Sequence, residues 1–164
     1  MNKDGKMLVF LVDDDVFYLK TVVMGLDKHY HSSVVFKYFF NSHDLLAELK
    51  KSEHMPDLIL LDYNLDDNIS GIDLLKEVKS INSTLDVVMV SSQQNLQTVF
   101  STLNSGARSY IQKGDKVLVE IKKTIDDKLI SIKQEAQNKK IKKWITAAFV
   151  LFAIVAAAMI LMKK

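Results

Sequence analysis

Asp62 closes an apolar run, Leu58-Ile59-Leu60-Leu61, and Asp13-Asp14-Asp15 close another, Met7-Leu8-Val9-Phe10-Leu11-Val12. As strands of an open parallel sheet, both runs bring their carboxylates to one edge, where α/β folds bind ligands. Carboxylates crowded there repel one another unless a cation joins them, and an all-oxygen site of this kind suits Mg²⁺. The pattern points to phosphate chemistry on an aspartate. The four histidines (His29, His31, His43 and His54) show no metal-ligand spacing with a carboxylate and are expected at the surface. Asp15 is the aspartate expected to cap a helix rather than join the cluster.

The elements that must hold these side chains alternate along the first 115 residues. Residues 7–12 read as a buried strand, and Leu19, Val22, Val23 and Leu26 keep helical spacing after it. Residues 33–40 are β-branched and aromatic, a second strand. Ser42 is expected as a helix N-cap, followed by Leu45, Leu46 and Leu49 as the buried stripe. Pro56-Asp57 break the chain before a third strand, 58–62. Gly71 opens a helix carrying Ile72, Leu74, Leu75 and Val78. A fourth strand (86–91), a fourth helix (96–103) and a fifth strand (108–112) follow. Apolar strands alternating with helices indicate a parallel sheet covered on both faces.

Charge is divided unevenly. Residues 1–115 hold 11 Lys/Arg and 16 Asp/Glu, whereas residues 116–164 hold 11 Lys and 4 Asp/Glu. The acidic part argues against direct nucleic-acid binding, and the basic part sits beside an apolar tail. Cysteine is absent, which excludes disulfides and thiolate metal sites. The N-terminal apolar stretch is short and ends in three aspartates, so no secretory signal is expected.

A fifth helix begins near Asp115 and carries Leu118, Ile121, Ile125, Leu129, Ile132 and Ala136 at three-four spacing, with no Gly or Pro from Lys116 to Lys164. A short coiled-coil stretch around 125–136 could pair two copies. Residues 144–162 then run nineteen positions without a charge, Gly or Pro. As a helix they span roughly 28 Å, close to the hydrocarbon thickness of a bilayer. Lys139, Lys140, Lys142 and Lys143 flank one end, with Trp144 at interfacial depth, and Lys163 and Lys164 close the other. A transmembrane helix at 144–162 is expected, joined by a basic helical linker, 129–143. The heavier lysine cluster places the preceding domain in the cytoplasm, on a single-pass anchor in the inner membrane.

Residues 6–128 resemble the receiver domain of two-component response regulators, the CheY-like family. Asp13-Asp14 match its acidic pair, Asp62 its phosphoacceptor, and Ser91, in Val88-Met89-Val90-Ser91, its hydroxyl residue. Lys113, in Tyr110-Ile111-Gln112-Lys113, matches its lysine, and Gly106-Ala107 and Tyr110 match the positions before that lysine. The resemblance implies a receiver domain over 1–128, a doubly wound, five-stranded parallel α/β sheet of flavodoxin-like type. It also implies that Asp62 accepts a phosphoryl group from a sensor histidine kinase or phosphotransfer protein. Asp14 and Asp62 would hold Mg²⁺ directly, with the Asn64 backbone carbonyl, and Asp13 through water. Lys113 would pair with Asp62 and then with a phosphoryl oxygen, and Ser91 would donate to another. Ser91 and Tyr110 would form the switch. Such a module is no enzyme beyond its own phosphorylation and dephosphorylation.

Two departures stand out. Gly114 follows the lysine where the family usually has proline, and glycine's wide dihedral range could supply a comparable bend. The loop after Asp62 lacks the usual proline, is one residue longer, and adds Asp66-Asp67. Asn64 and Gln93 match positions where the family varies, and the resemblance implies that residues there influence how fast the phosphoryl group is hydrolysed. The leading expectation is a membrane-tethered single-domain response regulator that switches partner binding. The alternative is a phosphorylation-independent membrane adaptor with the same fold. A phosphatase of the haloacid dehalogenase class fits less well, since it needs a second Asp where this chain has Asn64.

Overall fold

The computed structural model describes residues 5–65, 69–93 and 95–162, with side chains as far as residue 152. Asp66, Asp67, Lys163 and Lys164 lie outside the described residues. Five parallel strands, β1 (Met7–Val12), β2 (Val34–Phe39), β3 (Leu58–Asp62), β4 (Val87–Ser91) and β5 (Ser109–Gln112), form one sheet in the order β2-β1-β3-β4-β5. Helices α1 (Val16–Tyr30), α2 (Ser42–Lys51), α3 (Gly71–Ile81) and α4 (Leu96–Asn104) connect them, and α5 (Val117–Met162) follows. This is the five-stranded parallel α/β sheet that the resemblance implies.

The apolar runs explain the centre of the sheet. Every residue of β3 and β4 is buried, which a strand achieves only when both faces are covered. On one face Phe10, Val12, Ile59, Leu61 and Met89 pack with Leu45 and Leu49 of α2 and Leu74, Leu75 and Val78 of α3. On the other, Leu11, Leu60 and Val90 meet Leu19 and Val22 of α1 and Ile121 of α5. The Tyr30 hydroxyl, at the end of α1, donates to Asp126 Oδ1 at 2.8 Å.

Strand register places the chemistry. Val12 pairs with Leu61, Asp62 with Val90, and Ser91 with Gln112. Asp13, Asp62, Ser91 and Lys113 therefore emerge in steps at the same carboxyl edge of the sheet. Asp15 is the N-cap of α1, its Oδ1 accepting from the Tyr18 N–H at 2.9 Å. The cap of α2 falls one residue earlier than expected. Asn41, not Ser42, has the extended backbone of a cap and accepts from the Asp44 N–H at 2.8 Å, leaving Ser42 as the first helical residue.

Two compact units divide the chain, Met1–Asp126 and Asp127–Lys164. In the first, Ile121 and Ile125 are buried in the core. Ile125 is thus already committed and cannot begin the pairing seam expected at 125–136. The second unit is helical through Met162. Among the described residues, no helix is long and apolar enough to cross a membrane. More than half of the expected span, residues 153–162, lies where side chains are not described.

Candidate functional site

At the carboxyl edge, Asp13, Asp14 and Asp62 each offer a carboxylate oxygen, and the three oxygens lie within 4.8 Å of one another. Asp13 and Asp62 are buried, and Asp14 is partly so. Lys113, just past β5, reaches both buried carboxylates, with Nζ 2.6 Å from Asp13 Oδ2 and 3.1 Å from Asp62 Oδ2. Its own N–H donates to the Ser91 carbonyl at 2.8 Å, so β4 fixes where its stem begins. The Asp15 N–H donates to Asp13 Oδ1 at 3.0 Å, and the Tyr63 N–H to Asp62 Oδ1 at 2.8 Å. Each buried carboxylate thus has one oxygen held by the main chain and the other turned to the lysine.

Burial pushes the Asp62 carboxyl up to about 6; the Lys113 charge opposes that rise and the Asp13 charge adds to it. Burial acts to lower the Lys113 pKa, but its hydrogen bond to Asp13 and the charges of Asp62 and Asp13 carry it above the ordinary lysine value. Three carboxylates against one ammonium leave an excess of negative charge and of hard oxygen donors. That donor set fits Mg²⁺, which is bound by carboxylates and water rather than by nitrogen or sulfur.

Ser91 is fully buried at the end of β4, and its Oγ accepts from the Gln93 N–H at 3.1 Å. Ser92 is exposed. The Tyr110 hydroxyl donates to the Gln93 carbonyl at 2.6 Å. One loop residue therefore ties down both expected switch side chains through its main chain. Asn64 is exposed, two residues past Asp62, and bridges to Ser70 in antiparallel fashion.

That turn depends on Gly71. A Cβ there would lie 2.6 Å from Tyr63 Cα and 2.8 Å from the Asp62 carbonyl oxygen, closer than real side chains come. Helix α3 can start this near Asp62 only without a side chain at its first residue. Gly114 is the opposite case. Its φ lies outside the left-handed region and a Cβ would meet nothing within 4 Å, so the loop after Lys113 draws on none of glycine's extra freedom.

Every site residue singled out in the sequence (Asp13, Asp14, Asp62, Asn64, Ser91, Tyr110 and Lys113) lies at this edge, and the four histidines are exposed. Sequence reasoning missed Tyr18. Its ring centroid is 4.5 Å from Lys113 Nζ, a contact across 95 residues that helical spacing could not reveal.

The profile of the response regulator receiver domain matches residues 9–126. The chain is 34% identical over 80 residues to the chemotaxis protein CheY of Bacillus subtilis, covering 47% of this chain and 66% of that protein. It is 30% identical over 109 residues to the transcriptional regulatory protein ZraR of Salmonella typhimurium, covering 66% of this chain but only 23% of ZraR. Among solved structures, a CheY-like receiver domain protein from Methanospirillum hungatei superposes with a TM-score of 0.67 at 23% identity, over 79% of this chain and 98% of its own. With its fold, its acidic cluster and its matched profile in agreement, the chain belongs to the response regulator receiver domain family.

Proposed function

We propose that this chain is a phospho-accepting signalling module, carrying the phosphoryl group on Asp62, and that residues 144–162 tether it to a membrane. The observation that carries the first part is Lys113, half-buried between Asp13 and Asp62 at the edge where three carboxylates meet. Asp14 and Asp62, the Asn64 carbonyl, and Asp13 through water would hold Mg²⁺, which when bound supplies charge neutralisation for a transferring phosphoryl group. In the transfer, an Asp62 carboxylate oxygen forms a bond to phosphorus. The bond from phosphorus to the donor's leaving atom breaks, and its electron pair departs with that atom. Lys113 moves from Asp62 Oδ2 to a phosphoryl oxygen, and the Ser91 hydroxyl donates to another.

The readout begins at Gln93. Drawing Ser91 toward the phosphoryl group disturbs its bond from the Gln93 N–H, and the Gln93 carbonyl holds Tyr110. Tyr110 is thereby released to turn, a local charge event acting on a two-state element. The donor is a sensor histidine kinase or phosphotransfer protein. A tether confines both partners to a thin layer and raises their effective concentration. The uncharged run 144–162 with lysines at both ends supports a cytoplasmic receiver on a single-pass inner-membrane anchor. Pairing of two copies is a separate element of the proposal and would use Leu129, Ile132 and Ala136. Recovery of monomer alone after crosslinking in membranes would remove it.

Mg²⁺-dependent labelling of the full chain by acetyl phosphate, beside Asp62→Asn, tests the central claim. Label on the wild type alone is the expected result; equal label on the variant would move the acceptor elsewhere. No label on either, from this donor or from a kinase, would favour the phosphorylation-independent adaptor.

A further inference from the structure

Tyr18 is the site residue to which neither the family match nor the scheme above gives a role. It is the third residue of α1, and its N–H is fixed by the Asp15 cap. Its ring faces the Lys113 ammonium at 4.5 Å, and only 16% of the Lys113 side chain is exposed. The Tyr18 hydroxyl is shielded from solvent and has no hydrogen-bond partner. Such an orphaned group works against stability, so packing alone gives tyrosine no advantage over phenylalanine here.

We infer that Tyr18 is a positioning residue of the phosphoacceptor site, its ring face holding the Lys113 ammonium in place by cation–π attraction. The inference rests on the reading of Asp62 as phosphoacceptor. Lysine has a flexible four-carbon stem and does not hold one geometry unaided. Among the described residues Asp13, Asp62 and the Tyr18 ring all reach this ammonium, and the two carboxylates are also claimed by a cation and a phosphoryl group. The ring is a support that neither one claims. Desolvation strengthens the attraction, and the ammonium is largely withdrawn from solvent. As Asp62 changes from carboxylate to acyl phosphate, the ring keeps Lys113 within reach of the new oxygens.

The test uses the full chain in mild detergent as wild type, Tyr18→Phe and Tyr18→Leu. NMR of the Lys113 ε-protons, Mg²⁺ titration by calorimetry, and the rate of labelling by acetyl phosphate at saturating Mg²⁺ are compared. Ring current should shift the ε-protons upfield in wild type and Tyr18→Phe, and Tyr18→Leu should lose that shift. Labelling should slow about tenfold in Tyr18→Leu and stay within about twofold in Tyr18→Phe, with Mg²⁺ affinity unchanged in both. A wild-type rate in Tyr18→Leu, or an equal loss in Tyr18→Phe, would overturn the inference. Should Tyr18→Leu not fold, Tyr18→Met removes the ring at similar volume and carries the same expectations. A wild type that takes no label, from this donor or from a kinase, would defeat the phosphoacceptor reading instead, and the lysine shift would still decide whether the ring holds Lys113.

Discussion

The start of α5 and its continuation belong to one helix yet obey different rules. Over residues 117–126 a stripe of apolar side chains, Val117, Ile121 and Ile125, is buried, and Val119 off the stripe is exposed. Over residues 141–152 the chain is more apolar, and Ile141, Trp144, Ile145, Phe149, Val150, Leu151 and Phe152 are all exposed. Consecutive positions on a helix point to all sides, so no single protein surface could cover residues 147–152 together. Hydrophobicity alone does not fold a segment into a domain; a stripe with a polar back does. A helix apolar all round has no polar back to turn to water, and the tether proposed for residues 144–162 would turn such a surface to lipid.

This contrast can be broken most forcefully by truncation. Removing residues 144–164 should shift the protein from the membrane pellet to the supernatant after alkaline washing, while Asp62 labelling persists at its full rate. Loss of labelling on truncation would show that the two units are not independent. Next in size, Ile125→Ala should cost about 3 kcal/mol of unfolding free energy. Ile141→Ala, on the exposed stretch, should change it by less than about 0.5 kcal/mol. Comparable losses at both positions, measured by chemical denaturation, would erase the distinction between stripe and all-round surface.

Within the first unit, two glycines sharpen the same lesson about covered and open positions. Gly71→Ala should destabilise by about 2 kcal/mol, because a methyl group would be forced onto the Tyr63 backbone. Asp62 supplies a smaller, pH-dependent effect. Its carboxyl stands near 6 in the folded chain against 3.8 for an unperturbed one, so the folded state binds that proton more tightly. Stability without Mg²⁺ should therefore fall as pH rises from about 4 to 6, and the cost should be fully present above that window. Asp62→Asn should then unfold about 1–2 kcal/mol harder than wild type near neutral pH, with the gap closing below about pH 4. A gap independent of pH would assign it to another group. Smallest of all, Gly114→Ala should leave stability within about 0.5 kcal/mol and labelling unchanged. A large loss there would mean that this loop needs glycine after all.

Much of this was legible in the sequence because it depends on local pattern. The strands announced themselves as apolar runs, and parallel register then brought Asp13, Asp62, Ser91 and Lys113 to one edge. What stayed hidden depends on distance in the chain or on backbone shape. Tyr18 meets Lys113 only after α1 and β5 are placed on the sheet, and Tyr30 meets Asp126 likewise. Gly71 was read as a helix start, whereas its necessity comes from the Tyr63 backbone beneath it. Asn41 and Ser42 are both good caps, and the extended backbone at Asn41 decided between them.

The two bonds at Gln93 carry one more implication. Both use main-chain atoms, its N–H toward Ser91 and its carbonyl toward Tyr110, while the side chain stands at the surface. A change of side chain at position 93 therefore leaves in place the main-chain donor and acceptor that hold Ser91 and Tyr110.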